Sequence, residues 1–74
     1  MDKFIYDYSL LRGRIKKKFI TNKAFSSALG IDPTSLSGKL NNKSYFTQDE
    51  IARACDLLSI DKSEVSEYFF CFEC

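Results

Sequence analysis

Three residues, Gly30-Ile31-Asp32, separate two short helical patterns and constrain the fold more than any other part of the sequence. Glycine suits the end of the first pattern, because it accepts the left-handed conformation that terminates many helices. Asp32 can cap the next helix, and Pro33 suits a first helical position because its missing N–H is not needed there. So short a connection predicts two helices that meet at a steep angle.

The rest of the chain also has the apolar spacing of short amphipathic helices. Apolar residues recur three and four positions apart around Leu11, Phe25, Leu36 and Ile51. The predicted helices cover about 8–19, 22–29, 33–40, 48–58 and 62–69, and an extended apolar tail covers 70–74. A chain of 74 residues cannot divide its core. We therefore predict a single all-α domain over 1–74, a compact bundle of four to five short helices.

Capping residues precede most of these patterns: Asp7 or Ser9, Thr21 or Asn22, Asp32, and Thr47 with Glu50 in a capping box that Phe46 can staple. Gly13 lies inside the first helix, where glycine is unfavourable relative to alanine. Either tertiary packing overrides this cost, or the backbone at Gly13 approaches another group closely.

The charges divide the chain into two halves. The net charge is +1 overall, but it is +6 over residues 1–43 and −5 over residues 44–74. A domain that binds a polyanion needs positive charge only on its binding face, because positive charge on the opposite face would not contribute to docking. This asymmetry therefore favours a polyanion-binding domain. The alternative is a chance arrangement of solvated charges.

Several classes of protein are disfavoured by what the sequence lacks. It has no histidine and no glycine-rich phosphate loop, so we expect no enzyme, no cofactor and no small-molecule substrate. Without a long apolar run or an export leader, we expect no membrane association and a cytoplasmic location. The odd count of three cysteines favours free thiols. Cys71-x-x-Cys74 resembles half of a zinc or redox motif, but it lacks a full ligand set, and Cys55 is interpreted as a core residue.

The third helix has an unusual outer face. Leu36 and Leu40 form its buried side, which leaves small polar residues outside, where surface helices usually carry Glu, Lys and Arg. Short hydroxyl side chains allow a helix to lie deep in the major groove and to bond base edges or phosphates. The steep corner and this face together predict a helix-turn-helix.

The pattern Asn22-Lys23-x-Phe25-x-x-x-Leu29-Gly30-Ile31-x-x-x-x-Leu36 resembles the helix-turn-helix of the lambda-repressor, Cro and XRE-type family of bacterial and phage regulators. Further stretches resemble a group of short phage proteins of Gram-positive hosts: Tyr8-Ser9-x-Leu11-Arg12-Gly13-Arg14-Ile15, Leu36-Ser37-x-Lys39-Leu40-Asn41-Asn42-Lys43 and Phe46-Thr47-Gln48-Asp49-Glu50-Ile51. The resemblance implies a lambda repressor-like fold. It also implies a repressor- or Cro-like transcription regulator that binds operator DNA through the major groove.

Carried over residue by residue, the resemblance places the groove-facing residues early in the third helix: Pro33, Thr34, Ser35, Ser37 and Gly38. The residues expected to contact phosphate are Asn22, Lys23, Lys39, Asn41, Asn42, Lys43, Arg12 and Arg14. For the basic residues of the first helix, a merely solvated face is the alternative. The chain departs from the family at Ser26, where alanine is preferred, and at Lys39, where Leu40 takes over the buried role.

Regulators of this kind usually pair on two half-sites, so double-stranded DNA and a homodimer are the expected partners. Phe70 and Phe72 are candidates for the dimer contact, unless they simply close the core. An alternative function is a protein-interaction module, such as an antirepressor or an antitoxin-like partner, that uses the aromatic and acidic C-terminal half.

Overall fold

The computed structural model describes residues 5–71, and its regular elements are helices, which confirms the predicted fold class. The helices are α1 (Ser9–Phe19), α2 (Asn22–Leu29), α3 (Pro33–Leu40), α4 (Gln48–Leu58) and α5 (Val65–Phe69), with a 3₁₀ turn at Lys62–Glu64 before α5. None of the helices in this part of the chain is long and apolar enough to cross a membrane.

Every helix contributes one face to a common core. The buried hydrophobic residues are Tyr8, Leu11, Ile15, Phe25, Leu29, Leu36, Leu40, Ala54, Leu58, Ile60 and Phe69. Burial of each large side chain contributes roughly 1.5–3 kcal/mol to the free energy of unfolding. Packing of the buried side of α3 against this core therefore fixes the position of the helix. Phe46 joins α5 to the N-terminal segment, because its ring lies 5.5 Å from that of Phe69 and 5.6 Å from that of Tyr8.

Helix α2 begins at a side-chain cap, as predicted. The Thr21 hydroxyl accepts a hydrogen bond from the Ala24 N–H at 3.1 Å. Ser26 is fully buried within this helix, and its hydroxyl donates to the Lys23 carbonyl at 2.8 Å. Serine is therefore accommodated at this position because its polar group is satisfied inside its own helix.

The corner between α2 and α3 has the conformation that the sequence predicts for glycine. Gly30 has φ +87°, and the N–H groups of Gly30 and Ile31 both donate to the Ser26 carbonyl, at 2.9 and 3.0 Å. Asp32 occupies the N-cap position of α3, and its carbonyl accepts from the Leu36 N–H at 3.0 Å. Its carboxylate caps no N–H in the described chain, so the expected side-chain cap is wrong.

Neither Asp7 nor Ser9 occupies the N-cap position of α1. Tyr8 occupies the N-cap position, and the Asp7 carboxylate instead accepts from the N–H and the hydroxyl of Ser9. The Ser9 hydroxyl, followed by the Ser9 N–H, lowers the pKa of Asp7. A Cβ at Gly13 would meet open space, so the prediction of a close backbone approach there is wrong.

Ile20, between α1 and α2, has a conformation that the sequence does not indicate. Its φ is +70° and its ψ is −45°, and across it the Thr21 N–H donates to the Phe19 carbonyl at 2.7 Å. This is a γ-turn of the positive-φ type, which is rare and strained, and most strained for a β-branched residue. The side chain is 76% exposed, so little packing offsets the strain.

The two ends of the described chain meet beside the turn after α3. The Asn42 amide pairs with the backbone of Tyr6, accepting from its N–H at 2.8 Å and donating to its carbonyl at 3.0 Å. The next N–H, of Asp7, donates to the Cys71 carbonyl at 2.7 Å. The N-terminal segment is thereby fixed to both the α3–α4 turn and the chain beyond α5.

Helix α4 begins with the predicted capping box. The Thr47 hydroxyl accepts from the Glu50 N–H at 3.1 Å, while the Glu50 carboxylate accepts from the Thr47 N–H at 2.9 Å. Two otherwise unpaired N–H groups are satisfied reciprocally, and this fixes where α4 starts.

Candidate nucleic-acid interface

Helix α3 presents a polar face to solvent, which we call the α3 face: Pro33, Thr34, Ser35, Ser37 and Gly38. Gly38 is half-buried, and the other four are exposed. Within residues 5–71, the hydroxyls of Thr34 and Ser35 have no hydrogen-bond partner, so their donors and acceptors are open to a ligand. The Ser37 hydroxyl accepts a long hydrogen bond of 3.4 Å from the Asn41 amide.

Two shallow clefts flank the α3 face, and each has a lysine at its edge. Lys43 lines one cleft of about 520 Å³ together with Thr34 and Ser37. Lys23 lines the other, of about 430 Å³, and Pro33 borders both. Both lysines are exposed and form no ion pair within the described residues. Asn22, the first residue of α2, is exposed just before Lys23.

Lys39 has an intramolecular role that the sequence does not reveal. Its ammonium lies 2.9 Å from the Glu50 carboxylate, donates to the Tyr45 carbonyl at 2.9 Å and lies 5.9 Å from the centre of the Phe46 ring. Its side chain is only 12% exposed. Lys39 therefore joins α3 to the start of α4, and its contact with phosphate stays a prediction. Leu40 is 3% exposed and fills the buried position, as expected.

Burial of the Glu50 carboxylate opposes ionisation, but the Thr47 N–H, the Lys39 ammonium and the Thr47 hydroxyl together outweigh it. They hold the pKa of Glu50 below its ordinary value. The ion pair with Lys39 is accordingly formed at neutral pH, and the carboxylate would compete with an external phosphate for the ammonium.

Three more of the predicted phosphate contacts are engaged at the C-terminal end of α3. The Asn42 amide is bonded to Tyr6, as described above. The Asn41 amide donates to the Ser37 carbonyl at 2.9 Å, and its oxygen accepts from Arg12 at 3.2 Å. The Arg12 guanidinium also donates to the Leu40 carbonyl at 3.2 Å, where a cation is favourable at a helix C-terminus. Arg12 and Asn41 thus bond carbonyl groups at the end of α3, whereas Asn42 holds the N-terminal segment. Their contact with phosphate stays a prediction.

Arg14 lies on a different side of α1. Its guanidinium donates to the Ser59 carbonyl at 3.2 Å and lies 5.7 Å from the centre of the Tyr68 ring of α5. The Lys18 ammonium bonds the Ser59 hydroxyl at 3.2 Å on the same side. Arg14 is thus engaged with Ser59 and Tyr68, and its contact with phosphate stays a prediction.

The C-terminal half exposes aromatic surface. Phe70 is 49% exposed and Tyr45 is 50% exposed, and both rings make edge contacts with Tyr6, at 6.4 and 6.1 Å. Phe72, the other candidate for a dimer contact, lies outside the described residues.

The thiols show two different environments. Cys71 is exposed, whereas Cys55 is half-buried beside the core. Burial, followed by the charge of Asp56, raises the pKa of the Cys55 thiol. Cys74 lies outside the described residues. No group of three or more potential metal ligands occurs among residues 5–71.

Comparison with known proteins places this geometry in context. The profile of a family described as "Protein of unknown function (DUF739)" matches residues 4–71. No curated protein matches the chain significantly. Among solved structures, the chain is similar to the solution structure of the modulator of repression (MOR) of the temperate bacteriophage TP901-1 from Lactococcus lactis. The sequences are 38% identical, 88% of each chain is covered, and the TM-score is 0.77.

Proposed function

We propose, from the premise that this chain belongs to the family described as "Protein of unknown function (DUF739)", that it is a phage regulator that modulates repression by binding operator DNA. The likeness to a modulator of repression supports the regulatory role, since the two chains share sequence as well as fold. The proposed activity is binding, with no catalysis.

The observation that carries the DNA proposal is the α3 face with its two flanking lysines. Lys23 and Lys43 would contact phosphates on either side of the major groove and set the position of α3. Thr34, Ser35 and Ser37 would then reach base edges, with Pro33 against a sugar or a thymine methyl group. This face has no arginine or glutamine, so each base contact would discriminate only modestly between base pairs. Pairing of two domains on adjacent half-sites would supply the remaining specificity.

A homodimer would place two α3 helices in successive major grooves, about 34 Å apart along the DNA. Phe70 supports this part of the proposal, because half of its large apolar side chain is exposed. Phe72 remains a second candidate by sequence.

The test is selection of duplexes from a random pool, followed by fluorescence anisotropy of the enriched sequence over a range of salt concentrations. Lys23→Ala with Lys43→Ala should reduce the slope of log K against log salt by about 2 per monomer, because each lost phosphate contact lowers it by roughly 0.9. Lys62→Ala, an exposed lysine of the 3₁₀ turn, is the matched control and should leave the slope unchanged.

A second pair of variants tests the α3 face itself. Ser35→Glu should abolish binding by placing a carboxylate against phosphate and base edges, whereas Ser66→Glu on the exposed part of α5 should not. If no sequence is enriched from the pool, or if both glutamate variants bind DNA equally, the proposal is refuted.

A second candidate function is modulation of repression through a protein contact. It is favoured by the engagement of two cations at α3 within the molecule, because Lys39 pairs with Glu50 and Arg12 donates to the Leu40 carbonyl. In this case the chain would change the affinity of a phage repressor for its operator without binding that DNA itself. Anisotropy of the repressor–operator complex, titrated with this protein, distinguishes the two functions.

A further inference from the structure

A groove of about 620 Å³ runs along α4 beside the 3₁₀ turn and α5, and none of its lining residues belongs to α3. Its floor is apolar: Ile51, Cys55 and Val65 are half-buried there. Ala52 and Phe70 are exposed at its sides. We call it the α4–α5 groove. Its open, apolar floor along a helix is suited to the apolar stripe of another helix.

The charges around the α4–α5 groove are mainly acidic. Asp56 and Asp61 are exposed at its edge, and among the described residues Lys62 is the cation that lines it. Residues 48–69 contain six acidic and two basic residues. Of the basic pair, Arg53 donates to the Leu29 carbonyl at the α2–α3 corner and is not a lining residue. The described lining residues therefore present a net negative charge to a ligand that covers this groove.

These properties restrict the occupant. Nucleic acid would be repelled by the same carboxylates. A second copy could offer the exposed Leu10 or Ile20 of its basic half, but a contact between two different surfaces of one chain generates rings or open-ended assemblies instead of a symmetric dimer. A separate protein with apolar residues on one helix face and Lys or Arg beside them would match both the apolar floor and the acidic edge of the groove.

We infer that the α4–α5 groove docks a basic amphipathic helix of a partner protein. This inference rests on the second candidate function and gives it a location. The apolar stripe of the bound helix would cover Ile51, Cys55 and Val65, and its cations would face Asp56 and Asp61.

The probe is a synthetic amphipathic peptide of about 14 residues, roughly four helical turns, with leucines at positions i, i+3, i+4 and i+7 and lysines elsewhere. A scrambled peptide of identical composition keeps the charge and loses the apolar stripe. The amphipathic peptide should bind the full chain about tenfold more tightly than the scrambled one, since its stripe adds apolar burial to the same charge. Bound peptide should also slow alkylation of Cys55 but not of the exposed Cys71, read by mass spectrometry.

Two variants localise the contact. Ala52→Arg places a cation and bulk at an exposed groove position, and it should weaken binding of the peptide about tenfold or more through like-charge repulsion. Ser66→Arg adds the same charge at an exposed position of α5 that does not line the groove, and it should change affinity less than twofold. Equal affinity for the two peptides, or an Ala52→Arg variant that binds as the parent does, would overturn the inference.

The same variants separate this inference from the function on which it rests. If the protein alters repressor–operator binding and Ala52→Arg does so equally, the partner contact exists elsewhere and the groove assignment fails alone. If the parent chain leaves that complex unchanged, the second candidate function fails. Self-association that Ala52→Arg abolishes in sedimentation would instead assign the groove to a second copy and overturn the inference.

Discussion

The strained γ-turn at Ile20 makes a quantitative prediction about stability. Ile20→Ala and Ile20→Gly both remove the side chain, so any loss of burial is common to the two variants. They differ in backbone freedom. At an ordinary position, glycine is the less stable of the two by about 0.4–1 kcal/mol, because it gains more entropy in the unfolded chain.

At a φ of +70° we expect the opposite order of stability, with the glycine variant more stable than the alanine variant. An L residue on this side of the map is strained by roughly 1–2 kcal/mol, which glycine escapes. Subtracting the entropic cost leaves Ile20→Gly more stable than Ile20→Ala by about 0.5–1 kcal/mol. In a domain of this size, that corresponds to a difference in Tm of roughly 2–8 °C.

Urea unfolding followed by circular dichroism, with thermal melts alongside, measures this difference. Lys17→Ala and Lys17→Gly form the matched pair, because Lys17 is exposed within α1, where alanine should be more stable by about 1 kcal/mol. The reasoning is refuted if alanine is also the more stable residue at position 20. A reversal at position 20 alone would show that an exposed isoleucine is kept in a conformation unfavourable to it, as occurs where a side chain serves a contact.

Glu50→Gln should destabilise the fold at neutral pH and flatten the pH dependence of urea unfolding on the acid side. The folded-state pKa of Glu50 is lowered from 4.5, so its contribution, which includes the pair with Lys39, is full above that unfolded pKa and is lost as the pH falls through the lower folded pKa. An unchanged acid slope would contradict this. Asn42→Gly keeps the backbone free to adopt its φ of +63° but removes both bonds to Tyr6, so it should lower the free energy of unfolding by about 1–3 kcal/mol and speed amide exchange at Tyr6; unchanged exchange there would count against the pairing. Gly13→Ala should raise the free energy of unfolding by about 1 kcal/mol, because its methyl group meets open space within a helix, and thermal melts that show no gain would refute this.

Features with local causes could be predicted from the sequence. The Thr47–Glu50 capping box and the left-handed Gly30 depend on residues within one turn, where residue type and spacing determine the hydrogen bonds. Burial of Leu36 and Leu40 follows from helical spacing alone. These signals are sufficient for the all-helical architecture and for the orientation of the α3 face.

Features with distant causes could not be predicted. Lys39 pairs with Glu50 across the turn between two helices, and Asn42 pairs with Tyr6, 36 positions away. Neither residue type specifies such a partner. From the sequence, a lysine in the last turn of α3 and an asparagine just after it are therefore interpreted as ligands for phosphate. The positive φ of Ile20 could not be predicted for a different reason. Isoleucine strongly prefers negative φ, so this residue type gives no indication of the turn.

The bonds from the N-terminal segment to Asn42 and Cys71 determine where any appended polypeptide would emerge. Residues 5–7 and 70–71 lie side by side next to the turn that carries Lys43. A purification tag would consequently be joined within four residues of residue 5 or within three of residue 71, and both attachment points lie by the turn that carries Lys43. An acidic linker there could compete with DNA, and a basic one could attract it. Affinities measured with tagged protein would then reflect the tag as well as the domain, so cleaved and uncleaved preparations should be compared at each salt concentration.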